Sequence, residues 1–169
     1  MAMPSKLKNL NLFNDGESYR GLVTEFKLPT LTRKMEEYRA GGMAGPIDID
    51  MGQEKIEAEW KCGGLSREVL RQYGKTSHNG VQLRFAGAYQ RDDTGEVDAV
   101  EIVLRGRHSE IDAGTGKAGD DTEFSVKTSA SYYKLSINGR TEIEIDMVAM
   151  IFIVDGNDLL QEQRRAIGI

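Results

Sequence analysis

Alternation of apolar and polar side chains, the period-2 signature of a strand with one buried face, recurs along most of the chain. Gly21–Leu28 places Leu22, Thr24, Phe26 and Leu28 on one side and Val23, Glu25 and Lys27 on the other, and Pro29 ends the run. Lys55–Cys62 alternates clearly, with Ile56, Ala58, Trp60 and Cys62 on its apolar side. Val81–Arg91 is a strand carrying Val81, Leu83, Phe85 and Tyr89 on one face. Asp93-Thr94-Gly95 turns it back into Glu96–His108. There the apolar set moves from odd positions (Val97, Ala99) to even ones (Val100, Ile102, Leu104), which predicts a β-bulge near Ala99-Val100.

A glycine-rich loop, Ala113–Asp121, precedes a further strand, Thr122–Ile137. Its apolar set shifts parity between Ala130 and Tyr133. Asn138-Gly139 is the strongest hairpin signal in the chain, since a type I′ turn needs positive φ at both positions. The returning strand is predicted over Arg140–Val154. Its first half is amphipathic and its second half, Val148–Val154, is apolar on both sides. A strand covered on both sides needs two apolar neighbours. A helix packed across the sheet would supply one, and another subunit is the alternative. Two short helices complete the prediction. One is capped by Ser66 and stopped by Gly74, and the other spans Asn157–Ile167 with Gly168 as its stop. The first dozen residues form no predicted element. Thr30–Gly52, with Gly41-Gly42-Met43-Ala44-Gly45-Pro46 inside it, reads as an irregular arm longer than an ordinary loop.

This is a mainly β chain. The expected architecture is a β-sandwich or barrel with a flanking short α-helix and long hairpins, in one domain over residues 1–169. The predicted strands reach about 11–15 residues against a usual 5–6. A tall barrel explains that length, and so does a sheet continued across subunits.

Composition narrows the function. With 22 Lys plus Arg against 27 Asp plus Glu, the net charge is −5. That argues against a protein that grips nucleic acid through a basic surface. Glycine is abundant, 19 of 169 residues, and proline scarce at 3, as suits strands joined by glycine turns. One cysteine excludes an internal disulfide and a Cys-rich zinc site. The N-terminal stretch lacks the apolar core of a signal peptide, and the longest apolar run, Met147–Val154, is far too short for a membrane span. A soluble chain made in a cytosol, with no membrane insertion of its own, is therefore expected.

Chemical constellations are weak. Cys62 shares an apolar strand face with Trp60, so a buried core thiol is expected and not a nucleophile. His78 lies in the turn Thr76–Gly80 and reads as solvated surface. Asp48, Asp50 and Glu54 lack the spacing of a calcium loop. Gly114-Thr115-Gly116-Lys117 resembles a phosphate loop only superficially, because Ile111 and Ala118 stand where a glycine and a Ser or Thr are required. No catalytic residue, cofactor or metal is predicted.

Several segments in order resemble one known family over essentially the whole chain. They are Asn11-Leu12-Phe13-Asn14-Asp15-Gly16, Tyr38-Arg39-Ala40-Gly41-Gly42-Met43, Gly45-Pro46-Ile47-Asp48-Ile49-Asp50-Met51-Gly52, Leu83-Arg84-Phe85-Ala86-Gly87, Tyr132-Tyr133-Lys134-Leu135 and the closing Gln163–Ile169. The family is the major tail tube protein of contractile-tailed bacteriophages, with the related R-type pyocin tube protein. The resemblance implies a structural virion protein. Six copies would form a ring whose inner sheets join around a channel. Rings would stack into a tube inside a sheath, alongside baseplate and tail terminator proteins, and the tube would cross the target envelope and, in a phage, conduct DNA. The segment matching the inter-ring arm is 30–52. Candidate subunit contacts are Met43, Pro46, Ile47 and Met51 in the arm and Val148, Met150 and Phe152 in the apolar run. A net charge of −5 per copy would give about −30 per ring, which suits a wall that DNA slides past. The alternatives are a type VI secretion tube protein and, more distantly, a small-ligand β-barrel or enzyme.

Overall fold

The computed structural model describes all 169 residues. In chain order the elements are β1 (Lys6–Asn14), β2 (Glu17–Ser18), β3 (Val23–Lys27), β4 (Arg33–Tyr38), β5 (Ile47–Gln53), β6 (Ile56–Cys62), α1 (Arg67–Gln72), β7 (Val81–Gln90), β8 (Val97–Asp112), β9 (Phe124–Ile137), β10 (Arg140–Asp146), β11 (Ile151–Val154), β12 (Asn157–Asp158) and α2 (Gln161–Ile167). The chain is mainly β, as its alternation predicts.

Ten strands form one antiparallel sheet and β4–β5 form a second, two-stranded one. The long hairpins β7–β8 and β8–β9 are its spine. β8 runs for 16 residues and β9 for 14. One edge of β9 pairs with β8, while the other serves two strands in succession: β6 along Phe124–Ala130 and β10 along Tyr132–Ile137. The sheet therefore forks at Ser131. The predicted parity shift between Ala130 and Tyr133 is this bulge. Arg105 pairs with Tyr132 and Gly106 with Ala130, leaving Ser131 as the extra residue. The backbone closes so tightly there that a Cβ on Gly106 would sit 1.9 Å from the Ser129 carbonyl oxygen.

From the fork, β6 and β3 curl back over β7 and β1. Trp60, Phe85, Phe124, Leu12 and Ile56 are fully buried between the two arms of the curl. Phe26 on β3 stacks on Phe85 of β7 at 5.0 Å between centroids, and Tyr19 meets Trp60 edge-on at 6.0 Å. Each large apolar side chain removed from water here contributes about 1.5–3 kcal/mol. Since β3 pairs only with β6, the curled sheet stays open and no hydrogen-bonded closure completes a barrel.

Turn chemistry follows the sequence where short-range rules govern it. Asn138 and Gly139 have φ of 51° and 82°, as a type I′ turn requires. Ser66 caps α1, its hydroxyl accepting from Val69 N, although the helix ends at Tyr73, just before Gly74.

Five expectations are corrected. No bulge occurs at Ala99-Val100: β7 and β8 pair without interruption from Val81↔Gly106 to Gln90↔Val97. Val97 and Ala99 simply occupy the solvent side of the strand. The arm 30–52 is not an unstructured loop but an antiparallel hairpin, β4–β5, with one register shift between Arg33 and Met35. The first dozen residues contain β1, which pairs with nearly all of β7. Arg140–Val154 is not one strand. It folds at Met147–Met150, where the Asp146 carboxylate accepts from Val148 N and Ala149 N at 3.0 Å each and Met150 adopts φ 56°. β11 then returns along β10, with Phe152 opposite Ile145. The apolar run Val148–Val154 spans that turn and the single short strand β11, so its alternate side chains are not the two faces of one long strand. Finally, Asn157-Asp158 pairs with β11 as β12, so the terminal helix starts only at Gln161.

Candidate assembly surfaces

The β4–β5 hairpin leaves the body as a separate sheet. Glycines and Pro46 build its tip. Met43 folds back onto the turn, with its N–H on the Ala40 carbonyl and its sulfur accepting from Ala40 N, both at 3.2 Å. In the register of the hairpin Tyr38 faces Ile47 and Glu36 faces Ile49. Tyr38, Ile47, Ile49 and Met51 are 40–54% exposed. A two-stranded hairpin is marginal alone in water, and this one displays its apolar side chains without a cover from its own chain.

The root of the hairpin is anchored. Arg33 holds Asp50 in a forked pair, Nε to Oδ2 at 2.8 Å and Nη2 to Oδ1 at 2.9 Å. Gly52 N adds a third bond to the same carboxylate at 2.8 Å. The guanidinium beside it, and then this backbone donor, hold the Asp50 carboxyl below the usual range. The Arg33 guanidinium also lies 4.9 Å from the centroid of Phe152 on β11. The arm thus sits on the β10–β11 hairpin across a cleft of about 650 Å³.

That cleft unites three of the seven predicted contact residues, Met51, Met150 and Phe152. Phe152 also packs against the core, so only part of it is free. Met43, Pro46 and Ile47 sit at or beside the arm tip, Met43 half-buried by its own turn and the other two exposed. Val148 stands at the β10–β11 turn, 68% exposed. Sequence reasoning missed Arg33, Asp50 and Tyr38. The alternation of Ile47, Ile49 and Met51 with Asp48 and Asp50 is a strand signal, but the neighbouring glycines masked it.

The two histidines separate as residue types. His78 is exposed and meets Ser131 Oγ at 3.0 Å. His108 is 5% exposed and lies in a buried polar chain. Trp60 Nε1 donates to Thr128 Oγ1 at 3.2 Å. Thr128 Oγ1 lies 2.9 Å from His108 Nδ1, and His108 Nε2 lies 2.9 Å from Gln72 Oε1. Gln72 and Asn14 exchange a pair of amide bonds at 2.8 Å each. Every buried side-chain polar atom is partnered. Burial pushes His108 down to about 4 and Cys62, 2% exposed among apolar neighbours, up to about 11. Both groups are therefore neutral and sealed, a structural arrangement with no reactive face.

The β body thus carries a protruding hairpin with exposed apolar side chains. Residues 4–168 match the family described as phage tail tube protein FII, and the chain belongs to that family. It is 46% identical to the tail tube protein of Escherichia phage P2 over the full length of both chains. It is 35% identical to the major tail tube protein of Serratia phage KSP20, over 96% of this chain and 95% of that one. Among solved structures, the fold is shared with the sheath/tube terminator of an extracellular contractile injection system, PVC (TM-score 0.59, 11% identity, 79% of this chain and 96% of that one). A chain of its sheath–tube complex matches at TM-score 0.57 with 10% identity, over 79% of this chain and 91% of that one. The protein is a structural component of a phage tail, not an enzyme.

Proposed function

We propose that residues 1–169 act as a single tail tube domain, six copies of which form a ring, and that rings stack into the inner tube of a contractile tail with segment 30–52 reaching the adjacent ring. The observation that carries this is the β4–β5 hairpin. It exposes Tyr38, Ile47 and Ile49, is pinned at its root by Arg33–Asp50, and finds no cover in its own chain. A second copy supplies such a cover. Met43, Pro46, Ile47, Met51, Val148, Met150 and Phe152 are the proposed subunit contacts. Sheath, baseplate and terminator proteins are the proposed partners beyond the tube, and DNA is the proposed passenger. Joining sheets between copies also removes exposed strand edges, which otherwise invite uncontrolled pairing.

Negative-stain microscopy of purified protein, alone and with the other tail components, tests this. Rings and tubes are expected. A protein that stays monomeric at high concentration and forms neither in that company refutes the proposal.

A further inference from the structure

Methionine is spread unevenly over this molecule. The chain has seven, and none is among the buried core residues. Met1 and Met3 lie in the N-terminal tail ahead of β1, and the other five gather at the arm and the turn that faces its root. Met35 is on β4, Met43 at the tip and Met51 on β5, while Met147 and Met150 open and close the β10–β11 turn. Met51, Met147 and Met150 line the cleft between the two.

These thioethers are open to solvent in the unassembled subunit. Met35 is 52% exposed and Met51 54%. Met35 stands directly opposite Asp50 in the hairpin register, beside the pair that anchors the arm. Met43 has a bond to lose, since its sulfur accepts the Ala40 N–H at 3.2 Å and so folds the tip back on itself. A thioether is flexible and polarizable and fits an apolar partner of irregular shape. Its sulfoxide is polar and chiral and disrupts such a contact. Cys62, the one thiol, is buried among apolar neighbours and does not compete for an oxidant.

We infer that the arm is an oxidative modification site, at which hydrogen peroxide converts the thioethers of Met35, Met43 and Met51 to sulfoxides and so disables stacking while the fold persists. The inference rests on the stacking role proposed for the arm. In the step, a sulfur lone pair attacks one peroxide oxygen. The S–O bond forms as the O–O bond breaks. The proton of the attacked oxygen passes to the departing hydroxide, which leaves as water. Sulfur is oxidised by two electrons and the peroxide is reduced by two, so no further reactant is required. At Met43 the oxygen is added to the sulfur that closes the tip turn. At Met35 and Met51 it places a strong acceptor where docking against a second copy strips it of water, a cost that no apolar partner offsets. The body is spared because its core contains no methionine.

Dilute hydrogen peroxide on the purified full-length subunit tests this. The treated protein is mapped by peptide mass spectrometry, melted, and given the other tail components for assembly. One added oxygen at each of Met35, Met43 and Met51, a nearly unchanged melting temperature and at least about a tenfold loss of tubes are expected. Tubes at full yield overturn the inference, and so does a loss of tubes that accompanies unfolding. Met35→Leu combined with Met43→Leu and Met51→Leu keeps the apolar volume and leaves Met1, Met3, Met147 and Met150 in place. Its tube yield should withstand the same treatment, and a loss equal to that of wild type overturns the inference. Should this variant not assemble before treatment, oxidised wild type is incubated with methionine sulfoxide reductases of both stereospecificities. Tubes should return as the three sulfoxides are reduced, and reduction without recovery overturns the inference. Wild-type protein that forms no tubes before oxidation overturns the assembly proposal instead.

Discussion

The imidazole Nε2 of His108 on β8 lies 2.9 Å from the carboxamide Oε1 of Gln72 on α1, and this bond ties the short helix to the sheet. Because Trp60 donates to Thr128, the threonine hydroxyl is free to donate onward to His108 Nδ1. The imidazole is then neutral with its proton on Nε2, directed at Gln72. An α1 of only six residues has little stability of its own, and the buried polar chain supplies the specificity of its docking.

Acid should therefore loosen the fold through His108. Its native value near 4 lies below the unfolded value near 6.5, so the unfolded chain binds the extra proton between those pH values. Stability is fully present above about 6.5 and falls as pH drops towards 4, by on the order of 3 kcal/mol. Chemical denaturation of the monomer at pH 7 and pH 4.5 measures this. A His108→Gln variant should show a shallower slope over the same window, and an unchanged slope would refute the assignment.

Gln72→Leu should destabilise the monomer by about 2–4 kcal/mol. It strands the Asn14 amide and the His108 Nε2–H, and removes the Gln72 donor to Asp15 Oδ2 at 2.7 Å. Equilibrium urea unfolding reads the loss. Proteolysis should show earliest cleavage around α1.

Gly106→Ala should cost about 3 kcal/mol or prevent folding, because the new methyl meets the Ser129 carbonyl at the sheet fork. Circular dichroism on a thermal ramp checks it. A substitution at Ala99, on the open face of the same strand, should shift stability by less than about 0.5 kcal/mol.

The arm can be separated from the fold. Ile47→Asp with Ile49→Asp should leave the monomer's melting temperature nearly unchanged, since both side chains are exposed, yet abolish stacking of rings. Deleting Gly41–Gly52, which removes the tip and nearly all of β5, should likewise block stacking while the β spectrum persists. Tubes of normal length from either variant would remove the arm from the assembly mechanism.

Arg33→Ala should free the root of the arm without unfolding the body. Amide exchange in β4 and β5 should quicken by at least about tenfold while β7–β9 stay protected. Assembly should then need higher protein concentration, because the arm is no longer pre-positioned for its neighbour.

Local rules made much of this protein legible from sequence. The Lys55–Cys62 alternation, the Ser66 cap, the Asn138-Gly139 turn and the parity shift after Ala130 each depend on a few adjacent residues, and each stands in the structure as predicted. The resemblance of ordered segments, spread over the chain, likewise led to the family. Other features needed distant partners. β1 is polar with scattered apolar groups and becomes a strand only because β7 offers it a ladder along its length. The arm hides its strands between glycines, and the Met147–Val154 run conceals a turn that Asp146 and a left-handed Met150 create. Sequence by itself determined the β periodicity of the central strands, the Asn138-Gly139 turn and the family. The fork at Ser131, the pairing of β1 with β7 and the buried His108–Gln72 bond were decided by contacts between residues tens of positions apart, which no local pattern encodes.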